Sequence, residues 1–97
     1  MHKTDQKDVT TVALRYDGES APRVTAKGKG YIAEEILAIA REHNIPMYED
    51  PELVKLLSQL ELGDEIPRSL YLAVAEVIAF AYFISGKSIE HKHRAKL

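Results

Sequence analysis

The run from Leu70 to Ile84 holds one charged residue, Glu76, in an otherwise apolar sequence. A helix needs about 20 such residues to cross a bilayer, so this stretch is too short for a span and reads as a helix packed into a globular domain. The rest of the chain must then be arranged to cover it. Leu70, Val74, Val77, Ile78, Ala81 and Tyr82 make one wide apolar face, and the helix is apolar nearly all round. Its second face therefore either sits deep or meets something else. Ile66-Pro67 opens this helix, at roughly Pro67, and Gly86 stops it. With 97 residues the chain makes one domain. A domain of that size buries about 65% of its surface, enough for one modest core without metal or disulfide.

Upstream the pattern is that of a small α+β domain. Val9-Thr10-Thr11-Val12-Ala13-Leu14-Arg15-Tyr16 is β-branched and aromatic, with Val12, Leu14 and Tyr16 alternating onto one face. Asp17-Gly18-Glu19-Ser20 is a turn, and Arg23-Val24-Thr25-Ala26 is a second strand with Pro22 confined to its start. A helix follows Lys27-Gly28-Lys29-Gly30. Its apolar face is Ile32, Ile36, Ile39 and Ala40, flanked by Leu37, with Glu34, Glu35, Arg41 and Glu42 polar. His43-Asn44 and the pre-proline Ile45 end it. Pro46-Met47-Tyr48-Glu49 is expected as a short third strand. Asp50 is an N-cap with Pro51 in the first helical position, for a helix carrying Leu53, Val54, Leu56, Leu57 and Leu60 that Gly63 breaks. The expected order is β-β-α-β-α-α, a small mixed sheet surrounded by helices. The strand-helix-strand unit within it is expected to be parallel and right-handed.

Composition narrows the chemistry. The chain has no cysteine, which excludes a disulfide scaffold, a thiolate nucleophile and a thiolate zinc site. Residues 1–8 are polar, are expected to be disordered, and contain no apolar core of a signal peptide. The segment from Gly86 to Leu97 sets Lys87, Lys92, Arg94 and Lys96 against Glu90, a balance of +3, which leaves −5 on residues 1–85. A body that acidic is a poor partner for nucleic acid, whose binding rests on neutralising phosphates.

Three groups of residues invite a chemical reading. Gly28-Lys29-Gly30-Tyr31-Ile32-Ala33 fits the Gly-x-Gly-x-x-Ala pattern of a phosphate-binding turn, with Glu49 and Asp50 downstream as candidate ribose acids. Lys27, Gly28, Lys29 and Gly30 are therefore a candidate anion or nucleotide site. The competing reading is two glycines that let the backbone turn and two lysines that keep it soluble. His2, His91 and His93 meet only if both ends of the chain do, so no metal is expected. No serine sits in a nucleophile elbow, and Glu76 stands alone without an acid–base partner. A binding module without enzymatic activity or cofactor is the expectation.

Several motifs then stand together. Val12-Ala13-Leu14-Arg15-Tyr16-Asp17 is followed by Ala21-Pro22-Arg23-Val24-Thr25-Ala26-Lys27-Gly28. Further on come Ala40-Arg41-Glu42-His43-Asn44-Ile45-Pro46, Glu61-Leu62-Gly63-Asp64-Glu65-Ile66-Pro67 and the start of the last helix, Leu70 to Ala79. Over about residues 9–84, with a slightly shortened loop at Gly18–Ser20, this resembles the C-terminal cytoplasmic domain of the FlhB/YscU/SpaS family of type III export switch proteins. The resemblance implies a mostly four-stranded sheet surrounded by helices. It also implies a cytoplasmic place at the flagellar export apparatus, with export substrates and export-gate proteins such as the FlhA cytoplasmic domain as partners.

Family members carry four membrane-spanning helices ahead of this domain, and an Asn-Pro-Thr-His motif whose asparagine cyclises and cuts the backbone. The matching positions here are Gln6, Lys7, Asp8 and Val9. Glutamine has one methylene too many for the five-membered ring, so no self-cleavage is expected. The chain looks like the released C-terminal fragment made as an independent protein, with 9–85 as the domain and 86–97 as a basic tail. The family strand ahead of the cut is absent from this pattern. The edge beside Val9–Tyr16 is then either open to a strand from a truncated membrane FlhB or simply short and protected by Lys7, Asp8 and Arg15. The family's substrate-docking patch maps onto Ala21, Pro22, Ala75 and Ile78, for which ordinary packing of loop on helix is the competing reading.

Overall fold

A computed structural model describes residues 9–85. The segment 1–8, expected to be disordered, and the tail 86–97 lie outside the described residues. Strands β1 (Thr10–Arg15) and β2 (Arg23–Lys29) pair antiparallel, Thr10 opposite Lys29 and Arg15 opposite Arg23. A bulge leaves Thr25 without an opposite number between the Ala13–Ala26 and Leu14–Val24 pairs. The connection is pinned by Asp17, whose carboxylate accepts the Glu19 and Ser20 N–H groups at 2.8 and 3.2 Å. Those two bonds hold its pKa below the usual carboxylate value. The turn is therefore supported at neutral pH and loses that support only when acid protonates Asp17.

The two faces of this ribbon do different work. Val12, Leu14 and Val24 turn to one side and join Leu53, Leu57, Ile66 and Val74 in the core. The other side presents Ala13, Ala26 and Gly28, small residues on which helix α1 (Tyr31–Glu42) lies. At Gly28 a Cβ atom would run into Ile32 Cγ2 and stand 2.9 Å from Ile32 Cβ, so this close approach requires glycine. The apolar stripe expected on α1 is only partly covered. Ala33 is buried, Ile36, Leu37 and Ala40 are half-buried, but Ile32 and Ile39 are exposed. A two-stranded ribbon, its strands about 5 Å apart, is narrower than the stripe of a helix about 10 Å across.

Helix α1 ends as its sequence demands. Asn44 takes φ 56°, the Ile45 N–H donates to Ala40 O at 2.8 Å, and the Asn44 N–H donates to Arg41 O at 3.1 Å. This is a complete Schellman cap with asparagine in the left-handed position, followed by a proline that cannot continue the helix. Helix α2 (Pro51–Leu57) starts where Asp50 Oδ1 accepts the Leu53 N–H at 3.1 Å. It closes at Ser58, before Leu60, which nonetheless packs on the core. A 3-10 turn at Arg68–Leu70 leads into α3 (Tyr71–Ile84).

One expected element does not form. Residues 46–49 join no ladder among the described residues, so the parallel strand-helix-strand unit is absent and the sheet is a two-stranded antiparallel one. The physical reason is the want of a partner edge. Pro46 has no N–H to offer, and the outer edge of β2 is already taken by the 63–66 segment. There the Val24 N–H donates to Asp64 O at 3.0 Å, the Gly63 N–H to Val24 O at 2.8 Å and the Ile66 N–H to Pro22 O at 2.9 Å. The 46–49 segment is held instead through Tyr48, whose ring meets Phe80 of α3 edge-on at 5.0 Å. The α+β class stands; its third strand is replaced by an extended connection.

Candidate functional site

The loop before β2 and helix α3 are brought to the same core. Pro22 O accepts the Ile66 N–H, and Arg23 clamps the same segment from outside, with Nη1 to Gly63 O at 2.8 Å and Nη2 to Glu65 Oε2 at 2.9 Å. That ion pair is half-exposed and contributes little by itself; its value is in fixing the loop. Ile66, Val24 and Val74 are the largest fully buried side chains, and Ile78 packs partly against them. Of the four docking-patch residues, Pro22 is buried, Ala21 and Ile78 are half-buried and Ala75 is exposed. The ring of Pro22 is thus sealed within the fold, while the other three reach the surface.

Sequence reasoning missed the residues that extend Ala75 along the helix. Leu72, Ala75, Ala79 and Phe83 recur at helical spacing, all exposed, with Glu76 the one charge among them. Leu72 is 75% and Phe83 81% accessible, so the side of α3 turned away from Val74 is apolar and open to solvent. The signal was present: a helix apolar all round, in a chain too small to cover both its sides.

The candidate anion turn is used differently. The Lys27 ammonium donates to Ser58 O at 3.2 Å and Leu60 O at 2.5 Å, capping the carbonyls just beyond α2. Gly28 makes room for Ile32. Gly30 takes φ 58° as the residue before α1, and its N–H donates to Val9 O at 2.9 Å. A phosphate cradle needs free N–H groups and a free ammonium. Here the Lys27 ammonium and the Gly30 N–H are both bonded within the fold, and only Lys29 is left exposed.

Of the positions matching the cleavage motif, Gln6, Lys7 and Asp8 lie outside the described residues, and Val9 closes the base of the hairpin through the Gly30 bond. The one asparagine of the chain is Asn44, followed by isoleucine and engaged in the α1 cap. Among the described residues no group of three His, Asp or Glu side chains is placed to hold a metal ion. None of the described helices is long and apolar enough to cross a membrane.

A short antiparallel ribbon with one helix on one face, two on the other, and a loop tied to the 63–66 segment defines a small α+β domain. The fold matches the crystal structure of the Y316D-mutated EscU C-terminal domain with a TM-score of 0.71 and 28% identity, over 74% of this chain and 90% of that one. The chain belongs to the FlhB HrpN YscU SpaS family, whose model matches residues 9–81.

Its relatives include the uncharacterized protein YlqH of Bacillus subtilis, 42% identical over 83 residues, covering 84% of this chain and 88% of YlqH. The flagellar biosynthetic proteins FlhB of Aquifex aeolicus and Salmonella typhimurium are 47% and 48% identical over 79 and 75 residues. Those matches cover 78% and 74% of this chain but only 23% and 20% of the FlhB proteins. The chain thus spans about a fifth of FlhB and most of YlqH. It is an FlhB-like C-terminal domain of type III export.

Proposed function

We propose that this domain serves flagellar protein export in the cytoplasm as an uncut docking platform. It binds export substrates and apparatus proteins as the released C-terminal fragment of FlhB does. The observation that carries this reading is the open apolar side of α3 around Ala75, on a helix whose other side packs through Val74 into the core. Contiguous exposed apolar surface of this kind marks protein-binding sites. A second contact is the outer edge of β1, which pairs with no described residue and is open to a strand from a truncated membrane FlhB.

Ala75→Asp tests the docking face. The side chain is exposed, so the fold will survive, and binding of a flagellar export substrate measured by calorimetry will weaken about tenfold as a charge enters an apolar contact. Unchanged binding would remove the platform reading. The absence of self-cleavage has its own measurement. Intact mass spectrometry of the purified chain after prolonged incubation will return a single species of 10.9 kDa. A species shortened by the residues ahead of Lys7 would show that Gln6 supports the cut after all.

A further inference from the structure

Helix α1 carries more apolar surface than the ribbon takes up. Ala33 and Ala40 turn toward the strands, Ala33 buried and Ala40 half-buried. On the adjoining side stand Ile32, Ile36 and Ile39, spaced by four and three residues. His43 continues the row, its Nδ1 3.0 Å from Ile39 O. That spacing is the seam along which one helix packs on another. Ile32 is 57% and Ile39 54% accessible, and Ile36 is half-buried. Isoleucine is a poorer helix former than lysine or glutamate, so the exposed isoleucines do not serve the helix they sit in. Charge is laid out along the same row. Glu35 and Glu42, each three residues after an exposed isoleucine, flank the seam. Both are exposed, and neither carboxylate is paired with another described residue. Arg41, the one base of α1, lies on the opposite side of the helix.

We propose that this side of α1 is a further docking surface, and that it takes a basic amphipathic helix of a partner protein. The partner lays its apolar seam on Ile32, Ile36 and Ile39, while lysines or arginines on its flank reach Glu35 and Glu42. In paired helices the charges beside the seam choose the partner. The −5 carried by residues 1–85 adds attraction for a cation-rich segment and repels an acidic one. The 12 residues of α1 span about 18 Å, room for the three isoleucines and both carboxylates along one partner helix. Because α1 is already seated on the ribbon through the close contact of Ile32 with Gly28, the partner meets a preformed surface, and chiefly its own ordering opposes binding. Helix α3 lies on the other face of the ribbon, with Val12, Leu14 and Val24. The two docking sides can therefore be occupied together, and this one does not rest on the export-substrate reading of α3.

Fluorescence anisotropy of the full chain with a pair of labelled synthetic helical peptides tests the surface. Both peptides carry the same leucine seam; one has lysine and the other glutamate on its flanks. The chain will bind the lysine peptide about tenfold more tightly, and high salt will shrink that margin. Reversing both carboxylates, Glu35→Lys with Glu42→Lys, will reverse the preference. Ile39→Gln will weaken binding of the lysine peptide about tenfold. It will leave the unfolding midpoint nearly unchanged, since that side chain is already half in water and glutamine is a good helix former. Ala75→Asp, on α3, will leave peptide binding as it is. Failure to bind the lysine peptide, equal binding of the two peptides, a preference that survives the double charge reversal, or binding indifferent to Ile39→Gln would each overturn the proposal. Loss of peptide binding in Ala75→Asp would place the peptide on α3 and overturn it as well.

Discussion

Replacing Ile66 with alanine will lower the thermal unfolding midpoint by roughly 12–24 °C. This follows from a loss of about 3 kcal/mol in a domain where each kcal/mol moves the midpoint by about 4–8 °C. Ile66 is 2% accessible and sits where every layer of the core meets: Val24 from β2, Leu53 and Leu57 from α2, and Val74 from α3. Alanine there leaves a cavity that backbone shifts cannot close, because the Ile66 N–H is itself bonded to Pro22 O. A domain of this size has about 4–11 kcal/mol of stability in total, so the change removes a large part of it. Ile66→Val, which keeps most of the side chain, will cost about 1 kcal/mol. Chemical denaturation measures both, and a loss below 1 kcal/mol for the alanine variant would mean that the four elements do not share one tightly packed centre. The Ile66 side chain is buried and its backbone N–H, which alanine keeps, holds Pro22 O, so a substrate-binding defect in Ile66→Ala would arise through the loosened core and not through contact.

Gly28→Ala will destabilise the domain by about 2 kcal/mol, a fall of roughly 8–16 °C in the unfolding midpoint. The sign is the informative part. By local preference alone, alanine in a strand is better than glycine by about 0.5–1 kcal/mol. The opposite result is expected here because the new Cβ would collide with Ile32, whose own Cβ is anchored to α1, and would stand 3.3 Å from the Ala33 backbone nitrogen. Relief requires lifting α1 off the ribbon. If instead Gly28 were there to let an anion approach, alanine would leave stability unchanged or raised, and only anion binding would suffer. Urea denaturation of Gly28→Ala therefore separates the two uses of the Gly28–Gly30 turn without any ligand in hand.

Much of the architecture could be read locally. The end of α1 was marked by Asn44 and the Ile45-Pro46 pair, and the start of α2 by Asp50-Pro51. In each case the determinant and its target lie within five residues, so the sequence and the hydrogen bonds coincide. The two strands and their turn were legible for the same reason. The third strand failed because Pro46-Met47-Tyr48-Glu49 has the composition of a strand and no edge to pair with, the edge of β2 having been taken by residues more than 35 positions away in the chain. The stripe of α1 was read with the right period but the wrong depth, since Ile32 and Ile39 remain exposed beyond a ribbon only two strands wide.

By itself the sequence determined the end of α1, the start of α2, the hairpin and the family, all of which depend on neighbouring residues or on ordered motifs. Only the tertiary structure decided that Lys27 caps α2 instead of waiting for a phosphate, that Pro22 is sealed while Ala75 is open, and that one side of α3 remains bare. Each of those outcomes depends on which distant surface arrives first to cover a given side chain. In a domain with so few layers there is not enough surface to cover them all.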